Sequence, residues 1–139
     1  MTDWAYLVTP FLSWLVAGAL KFLVNSVKAR QLAFGLIGYG GLPSNHSAIV
    51  SSMAALVALK EGCNTPAFGV ALTVAFIVVL DANGLRCQVG RQANMINLLA
   101  KTQVPYQPLR ERVGHTKVEI IAGLLVGIAV ATGVWWLQR

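Results

Sequence analysis

Apolar and polar positions fall along this chain in long blocks rather than at the two-residue period of a half-buried strand. Trp4 to Val27 forms the first apolar run, with Trp4, Tyr6 and Trp14 toward its start, where an interfacial aromatic belt would sit. Pro10 marks either a kink or the true beginning of that helix. Lys21 falls late in the run, and Lys28 and Arg30 follow it out. A loop through Gly35, Gly38, Gly40 and Gly41 leads to a second helix at about Ser44 to Leu59. At 1.5 Å per residue it is roughly 24 Å long, so it crosses a bilayer barely or sits at re-entrant depth. Lys60-Glu61-Gly62 closes it, and Pro66 suits the first turn of a third helix whose apolar stretch is Phe68 to Leu80. From Leu85 to Lys101 the pattern is amphipathic, with Leu85, Val89, Ala93, Ile96 and Ala100 at helical spacing, as for a helix lying in the membrane interface. Thr102 to Arg112, with Pro105 and Pro108, reads as a loop. Lys117 to about Leu137 is the last span, about 31 Å as a helix. Its Gly123-x-x-x-Gly127 spacing permits close helix contact.

The pattern predicts an all-α integral membrane bundle of about four spans plus an interfacial amphipathic helix, in one domain of 139 residues. A hydrophobic content of 56%, only 12% charged residues and a mean hydropathy of +0.64 agree with it. Asp3, rather than a basic segment, precedes the first run, so no cleavable signal peptide is expected. The net charge of +6 does not point to nucleic acid, because the basic residues lie between apolar helices and form no separate arm. That distribution suits anionic headgroups and phosphates. Cys63 and Cys87 fall at opposite ends of one span, which argues against a disulfide, and no metal-type spacing is present. With four spans, one face carries Lys28, Arg30, Arg86, Arg91, Lys101, Arg110 and Arg112, and the other Asp3, Lys60, Glu61 and Arg139. The positive-inside rule puts the basic face in the cytoplasm, for a protein of the inner (cytoplasmic) membrane.

Both histidines of the chain, His46 and His115, fall on that basic face. His46 follows the turn Gly40-Gly41-Leu42-Pro43-Ser44-Asn45, where the glycines allow a tight bend and Ser44 is a natural N-cap. The unpaired N–H groups behind such a cap make an anion site. His115 opens the last apolar helix in Gly114-His115-Thr116-Lys117-Val118-Glu119. At i and i+4 of a helix, Glu119 can accept from Nδ1 of His115 and aim Nε2 outward. Lys21, Arg30, Ser44 and Arg86 are placed to hold a phosphate at the same surface. Each residue also has a plainer reading. Lys21 can snorkel, Asp81 and Arg86 can simply pair with each other, and each histidine can be a polar helix end facing water.

Together these residues resemble a family. Gly40 to Ala48 looks like the Pro-Ser-Gly-His motif of the type 2 phosphatidic acid phosphatases, and Gly114-His115 with Glu119 looks like that superfamily's third motif. More closely, the chain resembles the superfamily's divergent branch, related to acid phosphatases and vanadium haloperoxidases. That branch shows the Gly-Gly-x-Pro-Ser-x-His-Ser-Ala turn, Asp-x-x-Gly-x-Arg (Asp81 to Arg86) and Gly-His-x-x-x-Glu-x-x-x-Gly (Gly114 to Gly123), in order along nearly the whole chain. The resemblance implies a metal- and cofactor-free phosphatase. His115 would be the nucleophile oriented by Glu119, and His46 the general acid. Lys21, Arg30, Ser44 and Arg86 would bind phosphate, with Gly41, Asp81 and Gly114 in support.

Four departures accompany it. The superfamily's first motif is Lys-x6-Arg-Pro, whereas here Lys28 follows Lys21 at the arginine's spacing and Arg30 comes two further on. Leu109 occupies the place of an arginine six residues before the third-motif histidine, so Arg86 or Arg110 would have to substitute. Asn45 replaces a glycine, and Glu119 an aspartate. The expected function is hydrolysis of a lipid phosphate or diphosphate, such as phosphatidylglycerophosphate, phosphatidate or a prenyl phosphate. The alternative is a non-catalytic lipid-phosphate binder or small transporter that keeps the anion clamp. A haloperoxidase ranks behind both. A homo-oligomer completing so small a bundle is compatible with the pattern.

Overall fold

The computed structural model describes residues 4–29, 41–101, 105–111 and 113–139. Arg30, Arg112 and most of the loop ahead of Gly41 lie outside the described residues. Five helices follow one another among the described residues: α1 Trp4–Ala29, α2 Asn45–Glu61, α3 Pro66–Asn83, α4 Leu85–Ala100 and α5 Lys117–Leu137. Helix starts have local causes. Ser44 Oγ accepts from Ser47 N at 3.4 Å to cap α2. Thr65 Oγ1 accepts from Phe68 N at 3.3 Å, with Pro66 at the first helical position of α3. Pro10 lies inside α1, which begins at Trp4, so the proline does not mark the helix start. Gly84 separates α3 from α4, its N–H bonded to Leu80 O at 2.8 Å.

By length and composition, α1, α3 and α5 can each cross a membrane. α2, with 17 residues, is about 25 Å long and is the helix on which α1, α3 and α5 all pack. It runs the length of the bundle. Ser44 lies at one end beside α5's first turn. At the other end Lys60 Nζ donates to Gln138 Oε1 at 2.6 Å and stands 5.2 Å from the Tyr6 ring centroid. α1, α2, α3 and α5 therefore alternate in direction, with the start of α1 and the end of α5 at one face. Phe11 and Leu15 of α1, Phe76 and Ile77 of α3, and Leu125 and Ile128 of α5 are exposed apolar side chains, as lipid contact requires. The chain is an integral membrane protein with an all-helical bundle fold.

The interior is built from small residues. α1 buries Ala5, Thr9, Ser13 and Ala17, one every fourth position, and Ser13 Oγ donates to Ala48 O at 2.9 Å. α5 buries Gly123, Gly127 and Ala131 at the same spacing. A Cβ on Gly123 would collide with Ser44 O and Ser47 Cβ, and one on Gly127 with Ser51 Oγ and Ala48 O. In lipid, apolar side chains gain nothing by leaving the hydrocarbon for a neighbouring helix, so close backbone approach and hydrogen bonds hold helices together. Ser51 Oγ supplies such a bond to Leu124 O at 3.2 Å.

Candidate active site

The first turns of α2 and α5 meet at one end of this contact. Ser44 N donates to Glu119 O at 2.9 Å, a backbone bond joining the two histidine-bearing segments directly. Ser44 is fully buried, and its hydroxyl also accepts from Ser47 Oγ at 3.1 Å. His46, one residue into α2, is exposed. The His46 and His115 ring centroids are 6.1 Å apart and the rings tilt by 56°.

His115 does not stand within α5, as its i, i+4 spacing to Glu119 would imply. The helix begins at Lys117, and Thr116 is its N-cap. Thr116 Oγ1 accepts from Glu119 N at 3.3 Å, and Glu119 Oε2 accepts from Thr116 N at 3.0 Å, which is a capping box. The same Oε2 lies 3.2 Å from His115 Nδ1. Because a carboxylate only accepts, the proton belongs on Nδ1 and the lone pair on Nε2. Behind the imidazole, His115 N donates to Ala82 O at 3.0 Å. Gly114 has φ +96°, and a Cβ there would lie 2.7 Å from Cys87 Sγ and 3.2 Å from Ala82 O, so this turn admits only glycine. His115 and Glu119 are both buried. Burial pushes the His115 imidazole below the ordinary histidine range. The Glu119 hydrogen bond opposes that shift, and the charges of Lys21 and Arg86 reinforce it.

Lys21, half-buried on α1, interacts with the Glu119 charge, and His46 feels Arg86, His115, Lys21 and Asp81. Arg86 Nε donates to Asp81 Oδ2 at 2.8 Å, with both side chains partly exposed. The pairing of these two residues thus exists, and it leaves the terminal guanidinium nitrogens outside that bond. Gly41 is buried where a Cβ would come within 3.3 Å of Asn25 Oδ1. The structure therefore gathers Lys21, Ser44, His46, Asp81, Arg86, Gly114, His115 and Glu119 at one end of the bundle. Arg30 lies outside the described residues. Leu109, in the place of the missing arginine, is exposed on the loop before His115. Thr116, Ala82 and Cys87 also shape the site. Of these only Thr116 carried a sequence signal, the Thr-x-x-Glu capping pattern.

A family model described as the divergent PAP2 family matches residues 3–130. The chain belongs to that family. It is also 31% identical to the uncharacterized membrane protein YuiD of Bacillus subtilis (strain 168), over 82% of this chain and 83% of YuiD. No solved structure matches the chain. The three motif segments, the Ser44 turn, Asp81 to Arg86 and Gly114 to Gly123, all fall inside the matched region.

Proposed function

We propose that the protein is a metal-independent membrane phosphatase that hydrolyses a lipid phosphate or diphosphate at the cytoplasmic face of the inner membrane. The observation that carries the reading is the His115–Glu119 pair beside His46, ringed by Lys21 and Arg86. Nε2 of His115 attacks phosphorus, forming a P–N bond as the P–O bond to the lipid alkoxide breaks. His46 gives its proton to the departing alkoxide. Lys21, the Arg86 guanidinium and the N–H groups of the α2 first turn neutralise the equatorial oxygens of the transferring group. Water activated by His46 then cleaves the phosphohistidine and releases phosphate. Asp81 holds Arg86, and Gly41 and Gly114 keep the two turns narrow. Membrane burial of the scaffold favours a substrate that is itself in the bilayer, and the basic loops favour a cytoplasmic site.

A second reading, a non-catalytic lipid-phosphate binder, draws on two observations. Leu109 offers no guanidinium, and one nitrogen of Arg86 is already committed to Asp81. Phosphate release by purified protein in detergent separates the two. The panel comprises phosphatidate, phosphatidylglycerophosphate, and a prenyl phosphate and diphosphate. Turnover of at least one, abolished in His115→Ala, supports the phosphatase. Binding of these lipids without release from any of them leaves the binder.

A further inference from the structure

Beyond Arg86 and Cys87 in its first turn, α4 takes no part in the site, yet residues 105–111 beside it come just ahead of Gly114 and His115 in the chain. α4 packs on α3, and its buried residues Gly90, Ala93 and Asn97 share one face. On that face Asn97, only 7% exposed, uses its whole carboxamide on the loop. Nδ2 donates to Leu109 O at 2.8 Å and to Glu111 Oε1 at 2.7 Å. Oδ1 accepts from Leu109 N at 2.8 Å and from the Tyr106 hydroxyl. The side chain thus pairs with both backbone groups of Leu109, as a neighbouring strand would. Asn94 Nδ2 donates to the other oxygen of Glu111 at 2.8 Å. Two amides on successive turns of α4 grip one carboxylate, and their hydrogen bonds hold Glu111 below the ordinary carboxylate range. One turn earlier, a Cβ on Gly90 would strike Glu111 O and come within 3.4 Å of Val113 N, so the loop lies flat on the helix only because Gly90 is bare.

We propose that Asn97 is a positioning residue for His115, clamping residues 105–111 to α4 so that Gly114 and His115 are delivered to the Ala82 carbonyl in register. The inference rests on the phosphatase reading for its effect on turnover, and on geometry alone for its effect on the ring. A buried asparagine facing one loop is costly unless each of its groups is paired, and here each pairs within that loop. The N–H of His115 is held on Ala82 O, so a slack clamp is felt at the imidazole.

Purified protein with ¹⁵N-labelled imidazoles tests this, because only His46 and His115 give signals. In the native protein the His115 ring should report a fixed Nδ1–H tautomer. Asn97→Ala should average it toward the mixed tautomers of a free imidazole, leaving His46 unmoved, and should lower kcat about ten- to hundredfold with little change in KM. Gln92→Ala, exposed elsewhere on α4, should do neither. Asn97→Asp places a carboxylate against Glu111 and should behave like Asn97→Ala. Tyr106→Phe, which removes one bond to Asn97 Oδ1 and leaves both Leu109 bonds, should disturb the His115 ring in the same direction and by less. That milder change also keeps the question answerable if Asn97→Ala does not fold. An unchanged His115 ring in Asn97→Ala, or in Tyr106→Phe where Asn97→Ala does not fold, or equal disturbance of both histidines would overturn the proposal. If the native protein releases no phosphate, the phosphatase reading fails while the ring signals still decide the role of Asn97.

Discussion

The N–H of Ser44 donates to the carbonyl of Glu119, joining the cap of the His46 helix to the carboxylate residue that holds His115. The two histidines lie 69 positions apart in the chain, and this bond, with the glycine contacts just beyond it, sets how close their rings come.

That relationship makes the α5 glycines testable. Gly→Ala inside a helix gains about 1 kcal/mol from propensity alone. At Gly127 the added Cβ meets Ser51 Oγ and Ala48 O, and overpacking of that kind costs about 1–3 kcal/mol. Overpacking outweighs propensity, so Gly127→Ala and Gly123→Ala should lower the unfolding midpoint in detergent. Gly133→Ala, with nothing within 4 Å, should leave it unchanged or raise it. A Gly127→Ala protein as stable as the native one would mean that α2 and α5 do not approach so closely.

Much of this fold was legible in the pattern of the chain. α5 occupies the expected Lys117 to Leu137, and Ser44 caps α2 as its position before an apolar helix implied. What the pattern could not convey is which small residues face which helix. Ser47, Ser51 and Ser52 read as ordinary polar breaks in an apolar run until α5 is seen to press Gly123 and Gly127 against them. The His115–Glu119 pair was legible as a contact but not as a cap, because an i, i+4 spacing fits both a helix face and a capping box. Asn97 was not legible at all. On the polar side of an amphipathic helix an asparagine looks solvated, and only the return of the loop across Gly90 buries it.

In the proposed phosphatase mechanism, the acid limb of activity reports His115. Its imidazole must be neutral to attack, and burial with the Lys21 and Arg86 charges lowers its pKa from the ordinary value of about 6.5 despite Glu119. The proton therefore binds only as pH falls below that value, which places the acid limb of kcat/KM below pH 6.5. Glu119→Gln removes the opposing carboxylate, so the limb should move to still lower pH while the maximal rate drops. A limb displaced upward in Glu119→Gln would contradict the assignment.

Arg86 is the guanidinium best placed to replace the one absent at Leu109, since Asp81 fixes its Nε. A charge-assisted hydrogen bond is worth about 1.5–3 kcal/mol, roughly ten- to hundredfold in rate. Arg86→Lys, which cannot bond Asp81 and present a planar fork together, should lose about that factor. Arg91→Lys, exposed on α4, should lose little. Equal and mild effects from both would argue against a specific clamp.

Orientation can be read from the native cysteine at the far face. Cys63 is exposed between α2 and α3, at the end opposite the histidines. With Cys87 replaced by serine, an impermeant maleimide added to intact cells should label Cys63. In a protein lacking both native cysteines, Gln107→Cys, exposed in the loop before His115, should stay unlabelled until the membrane is opened. Labelling of Gln107→Cys from outside would invert the topology and move the site to the other side of the membrane.

The chemical step separates the two histidines most sharply. Without His115 no phosphohistidine can form, so His115→Ala should abolish turnover of every substrate. In the proposed mechanism His46 acts on the leaving group, and an acidic leaving group departs without a proton. His46→Ala should therefore slow hydrolysis of an alkyl or lipid phosphate by about 10²–10⁴-fold, the usual worth of general acid catalysis, and slow a nitrophenyl phosphate far less. Phosphate trapped during turnover should be acid-labile, base-stable and located on His115. Equal losses in His46→Ala and His115→Ala on both kinds of leaving group would show the roles to be misassigned. Phosphate release untouched by either change would remove the histidines from the chemistry altogether.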